Sequence, residues 1–129
     1  MLPDQYFDRT KQNYTFFGGG VAAHAPFADP VCPRLRRGLR EALEDLSRDG
    51  RTLRVHPAGT YVNMEGPAFS TRAESRFYQA AGFDVIGMTS LPEAKLAREL
   101  GLCYAPVALV TDFDAWHEVE EAVTVEMVM

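Results

Sequence analysis

Leu35, Leu39, Ala42, Leu43 and Leu46 recur at the spacing of one helix face. Pro33 stands just ahead of them and suits a first helical turn, so the pattern predicts a helix from Pro33 to the Asp49-Gly50 stop. Leu53 and Val55 alternate with Thr52 and Arg54, which reads as a strand. A second strand is expected from Thr60 to Met64, closed by Glu65-Gly66-Pro67. Thr71-Arg72-Ala73-Glu74 has the form of a capping box and opens a helix that Gly82 ends. Phe83 to Met88 reads as a short buried strand. Ser90-Leu91-Pro92-Glu93 is a second capping box with proline in the first turn. The helix it opens runs through Glu99 with Ala94, Ala97 and Leu100 inward, and Gly101 stops it. Tyr104 to Thr111 contains the continuous apolar run Pro106-Val107-Ala108-Leu109-Val110, the pattern of a strand buried on both faces. Glu120 to Met129 has the periodicity of a final helix.

From residue 71 the order is helix, strand, helix, strand, helix, which predicts the α/β class with helices on the faces of a sheet. Residues 1–30 carry Pro3, Gly18-Gly19-Gly20, Pro26 and Pro30 and read as loop or irregular strand. The glycine triplet lacks the Lys-Ser/Thr ending of a phosphate loop and the spacing of a dinucleotide fingerprint, so a turn or bulge is expected there. No internal repeat or low-complexity segment divides the chain, and 1–129 reads as one domain. Both ends cut into elements that need packing partners, so part of a larger domain is expected.

Composition narrows the function classes. The formal net charge of −5 argues against a nucleic-acid or anionic-membrane partner. Arg34, Arg36, Arg37 and Arg40 interleave with leucines and read as the solvated face of a helix. Cys32 and Cys103 have no Cys or His neighbour at metal-ligand spacing and read as free, buried thiols of a reducing compartment. No signal peptide or bilayer-length apolar stretch is present, which makes the cytoplasm the expected location.

The candidate chemistry centres on Thr111-Asp112-Phe113-Asp114-Ala115-Trp116-His117, directly after the apolar run. Open α/β sheets bind their ligands at the carboxyl ends of strands. Two carboxylates there suit a site that needs a proton or a pair of hydrogen-bond acceptors. The same residues also suit a strand-end turn with aspartates capping backbone N–H groups. A two-aspartate metal motif is a further alternative, without a third ligand at regular spacing.

Several motifs in order carry a resemblance: Asp4-Gln5-Tyr6-Phe7-Asp8-Arg9-Thr10, Phe27-Ala28-Asp29-Pro30-Val31-Cys32-Pro33, and Met64-Glu65-Gly66-Pro67-Ala68-Phe69-Ser70-Thr71-Arg72-Ala73-Glu74-Ser75. Gly87-Met88-Thr89, Leu91-Pro92-Glu93-Ala94 and Thr111-Asp112-Phe113-Asp114-Ala115-Trp116 continue them. The chain resembles the S-methyl-5′-thioadenosine phosphorylases of the trimeric purine nucleoside phosphorylase superfamily. The match covers the middle and later part of such an enzyme. It implies a mixed β-sheet flanked by helices, a homotrimer, and phosphorolysis of methylthioadenosine to adenine and 5-methylthioribose 1-phosphate. Inorganic phosphate is the co-substrate, and no metal or organic cofactor is implied.

The resemblance also implies roles. Asp112 faces purine N7 and serves as the acid for the departing base, and Asp114 accepts from the 6-amino group. Phe69 stacks on the purine, although core packing after the Gly-Pro turn fits it too. Met88 lies along the ribose, and Thr89 contributes its hydroxyl to the phosphate site. Ser90 fits the helix cap better, which leaves Thr89 free. His24 reaches into a neighbouring subunit near the 5′-substituent. Val125, Val128 and Met129 form the apolar wall around the methylthio group, where an amphipathic core helix is the alternative. His56 and His117 are placed by no motif. Pro106 stands where a strand residue with a free N–H is expected, so that strand should start frayed or at a sheet edge.

Overall fold

Three parallel strands form the centre of the protein in a computed structural model that describes residues 1–49 and 53–117. The elements are β1 (Gln5–Arg9), α1 (Pro33–Arg48), β2 (Thr60–Met64), α2 (Arg72–Ala80), β3 (Val85–Gly87) and α3 (Ser90–Glu99). The sheet order is β1-β2-β3, with Gln5 opposite Thr60 and Tyr61 opposite Val85. Parallel neighbours need crossover connections, and α1 and α2 lie in the two crossovers. The architecture is the expected α/β class, and its described sheet is parallel throughout.

β2 is the middle strand and the best covered, with Tyr61, Val62 and Asn63 all buried. Leu2, Val31, Tyr78, Leu91 and Ala94 complete the buried apolar set. Phe7 stacks on Phe83 at 4.6 Å between ring centroids, and Tyr78 tilts against both, which clamps α2 to the sheet.

Two of the three described helix starts follow the sequence. Pro33 is the first residue of α1. In α2 the capping box is complete: Thr71 Oγ1 accepts from Glu74 N–H, and the Glu74 carboxylate accepts from Thr71 N–H at 2.8 Å. Thr71→Ala is expected to lower stability by about 1 kcal/mol, read as a lower urea midpoint at constant m-value. At α3 the expected cap is absent. Ser90 is the first helical residue and its hydroxyl meets Tyr6 Oη at 2.5 Å. The cap is supplied from the sheet: Asn63 Oδ1 accepts from Leu91 N–H at 2.9 Å.

Other expectations change in the structure. β1 takes the strand alternative within a region that reads as loop or irregular strand. The Leu53–Val55 strand does not form; His56 and Gly59 instead lend carbonyls to Leu2 and Asp4 N–H, and Pro57 offers no donor for a ladder. Gly18-Gly19-Gly20 is a turn, as expected, with Val21 N–H donating to Gly18 O and positive φ at Gly19 and Gly20. Leu100 is exposed, while Leu91 takes the buried position. The leucine stripe of α1 is covered only in part, with Leu35 and Leu46 exposed. Arg36 is not solvated like its neighbours. Its guanidinium pairs with Asp4 at 3.2 Å and donates to the carbonyls of Leu2 and Pro57, tying α1 to the chain start.

The largest correction concerns 104–111. This run forms no sheet strand, and Leu109 is 86% exposed. It is held at single points: Tyr104 O accepts from Cys32 N–H, and Ala108 exchanges two bonds with Met1. Pro106 interrupts the donor row that a ladder would need. The predicted helix from Glu120 to Met129, with Val125, Val128 and Met129, lies outside the described residues.

Candidate active site

A cleft of about 960 Å3 opens between β3, the start of α3 and the 104–116 run. Its floor is built from β2 and β3. Tyr61 projects across the sheet and its hydroxyl passes over Gly87. A Cβ at Gly87 would meet that oxygen at 1.8 Å, so only glycine fits this position beneath the ring. Tyr61 also hydrogen-bonds at Thr89, and burial raises its phenol pKa.

Beyond Gly87 the chain turns into α3 through Met88 and Thr89. Asn63, fully buried, fixes that turn: its amide nitrogen donates to Met88 O at 3.1 Å and Met64 O at 3.2 Å, while its oxygen holds Leu91 N–H. Thr89 is thereby set at the carboxyl end of β3, lining the cleft. Its hydroxyl makes no helix cap. Met88 turns the other way, its sulfur against Gly66, where a Cβ would meet it at 2.9 Å.

A relay of hydroxyls runs beside Thr89. Tyr6 meets Ser90, Ser90 meets Tyr104 at 3.3 Å, and Tyr104 donates to Glu93 at 2.6 Å. Burial, reinforced by the Glu93 bond, pushes the Tyr104 phenol up to about 12. Burial raises Tyr6 as well. These phenols stay protonated across the physiological range and act as neutral donors.

Asp112 and Asp114 line the same cleft. They belong to one compact turn. Asp112 Oδ1 accepts from Asp114 N–H at 2.7 Å, and its other oxygen accepts from Thr111 Oγ1 at 2.9 Å. Asp114 adopts φ of 61°, a left-handed conformation that aspartate tolerates. Arg72 Nε donates to Ala115 O, fastening the turn to the start of α2. Phe113 stacks on His117 at 5.1 Å and meets Trp116 edge-on. A turn capped by Asp112 is therefore present, as anticipated, but no sheet strand leads into it. The turn leaves the Asp112 side chain exposed at the cleft.

The structure brings together Thr89, Asp112 and Asp114. It does not bring Phe69 or His24 to them. Phe69 is 83% exposed and packs into no core among the described residues. His24 lines a separate depression of about 530 Å3 with Tyr14, Phe17, Lys95 and Arg98. Residues missed in the sequence are Asn63, Tyr61 and Tyr104, along with His56, which also lines the cleft. Asn63 sits in a strand pattern that gave it no special role. Tyr104 could have been marked by its place at the head of the apolar run.

The family model described as the phosphorylase superfamily matches residues 1–128. The chain belongs to the phosphorylase superfamily. Among phosphorylase relatives, the S-methyl-5′-thioadenosine phosphorylase of Thermosynechococcus vestitus is 58% identical over 130 residues, taking in all of this chain and 44% of that protein. The enzyme of the same name from Geobacter sulfurreducens is 53% identical over 131 residues, again with 44% of its length covered. Methylthioadenosine phosphorylase from Schistosoma mansoni, solved in complex with adenine, superposes with a TM-score of 0.86 at 39% identity. That superposition covers 98% of this chain and 50% of the solved one. The chain thus spans less than half the length of the two bacterial phosphorylases. No helix among the described residues is long and apolar enough to cross a membrane.

Proposed function

We propose that this chain is the part of an S-methyl-5′-thioadenosine phosphorylase that carries the base-reading carboxylates. The supporting observation is the convergence of Thr89, Asp112 and Asp114 on one cleft in a chain 58% identical to a protein of that name. The reaction breaks the N-glycosidic bond of methylthioadenosine and joins the sugar carbon to a phosphate oxygen. Positive charge builds on the sugar and negative charge on the purine.

In this reading Asp112 supplies a proton at purine N7 as the base leaves. Asp114 accepts from the 6-amino group. Thr89 donates its hydroxyl to phosphate, held in place by Tyr61 and by the turn that Asn63 fixes. Phe69 offers an open ring face to the purine, and Met88 lies along the ribose. His24, away from its own subunit's cleft, reaches the 5′-substituent in a neighbouring subunit of a homotrimer. Val125, Val128 and Met129 enclose the methylthio group. Inorganic phosphate is the co-substrate, and the reaction calls for no metal or organic cofactor. The partners are small molecules rather than nucleic acid or membrane, and the location is cytoplasmic.

The test is a phosphorolysis assay on the complete subunit, with adenine release from methylthioadenosine followed by chromatography. Adenine should appear only with phosphate, in equal amount to the sugar phosphate. Phosphate-independent release, or faster turnover of inosine than of methylthioadenosine, overturns the assignment.

A further inference from the structure

Cys32 and Cys103 are 71 positions apart in sequence, yet their sulfurs lie 2.6 Å apart. The main chain sets this approach, because Cys32 N–H donates to the carbonyl of Tyr104, the residue after Cys103, at 2.8 Å. Neither thiol is buried as expected from sequence: Cys103 is exposed, Cys32 is half-buried, and both are free. The two sites differ in character. Cys32 occupies the cap position of α1, and its thiol pKa is lowered by the contact with Cys103, by the backbone N–H groups of Leu35 and Arg34, and by the Arg34 charge. The same contact, together with desolvation, raises Cys103. Cys32, at the start of α1 and beside the Arg34 charge, is placed to attack, and Cys103 to resolve.

We propose that Cys32 and Cys103 form a reversible disulfide, made by exchange with a low-molecular-weight disulfide, that fastens the 104–117 segment to the start of α1. The thiolate of Cys32 attacks one sulfur of the small disulfide. That bond breaks, and a small thiolate leaves and takes up a proton. Cys103 then gives up its proton, attacks Cys32 Sγ and expels the second small thiol. The protein thiols lose two electrons and two protons in total, and the small disulfide is reduced by the same amounts. The bond would close the segment that carries Tyr104, Asp112 and Asp114 at a point where one backbone hydrogen bond now holds it. This inference stands on the cysteine geometry and does not depend on the phosphorolysis reading.

The experiment equilibrates the protein in graded mixtures of reduced and oxidised glutathione. Free thiols are blocked with iodoacetamide, and tryptic peptides are read by mass spectrometry. The expected result is one cross-linked peptide pair containing Cys32 and Cys103, with both alkylation sites lost together and both restored by dithiothreitol. In Cys103→Ser, Cys32 should stop at the mixed disulfide with glutathione. In Cys32→Ser, Cys103 should react at least ~10-fold more slowly than Cys32 does. Oxidised wild-type protein should also be cut more slowly by protease within 104–117, a change absent from both serine variants. Separate glutathione adducts on the two cysteines without a cross-link, or full alkylation of both in excess oxidised glutathione, overturns the proposal. A cross-link that leaves the cutting rate unchanged overturns its fastening role.

Discussion

Asp112→Asn in the complete enzyme is expected to lower kcat/KM for methylthioadenosine by roughly 10²-fold or more, the scale of a lost general acid. The turn should survive the change. Asparagine keeps the oxygen that accepts from Asp114 N–H, and its amide nitrogen can donate to Thr111 Oγ1, which now donates to the carboxylate. The loss would therefore report chemistry rather than folding. Selectivity should move as well. An asparagine amide can donate a hydrogen bond to N7 or to a 6-oxo group beside it, but it cannot hand over a proton. The loss for the inosine analogue should be smaller, and the preference ratio should shift toward 6-oxopurines. Steady-state kinetics with both nucleosides at saturating phosphate provide the check. An unchanged kcat/KM for methylthioadenosine would reduce Asp112 to its role as a turn cap, and an unchanged ratio would remove its part in base choice.

Asn63→Ala is expected to destabilise the fold by about 3 kcal/mol. The side chain is fully buried and serves three backbone groups: Leu91 N–H, Met88 O and Met64 O. Each buried group left without a partner costs ~1–3 kcal/mol, partly relieved by relaxation. Urea unfolding followed by circular dichroism would measure the loss. Asn63→Asp should also destabilise, because the carboxylate keeps the acceptor for Leu91 N–H but loses the donors to the two carbonyls. A neutral result for both variants would mean that the β3–α3 turn is held by other contacts. The two substitutions separate the site's layers, since Asp112 is exposed at the cleft and Asn63 has no exposed surface.

Local chemistry was legible wherever one segment contains the whole interaction. Thr71 and Glu74 are three residues apart and cap each other, so their spacing predicts the start of α2. Pro33 marks the start of α1 for a similar reason. The same logic fails at Ser90, whose hydroxyl is drawn away by Tyr6, 84 residues distant, while Asn63 takes over the cap. In the sequence Thr60-Tyr61-Val62-Asn63-Met64, nothing distinguishes an outward asparagine from a buried one. The apolar run at 106–110 was misread because apolarity signals a tendency to be covered and does not say what covers it. The pairing of Cys32 with Cys103 left no trace in local spacing. Asp112 and Asp114 were marked by their place after the apolar run and given roles by motif resemblance, and their turn geometry was one of three open alternatives.

The register of the sheet also bears on how the chain assembles in time. Bonds that join β2 to the start of β3 close a separation of 24 residues, while those that join β1 to the start of β2 close 55. Shorter loops cost less chain entropy to close, and contacts near in sequence form earlier. The β2-α2-β3 unit, with its self-contained capping box and the Tyr78–Phe83 contact, has the shorter path to a folding nucleus. β1 joins β2 across the longer loop, and its Phe7 adds the third ring of the aromatic cluster.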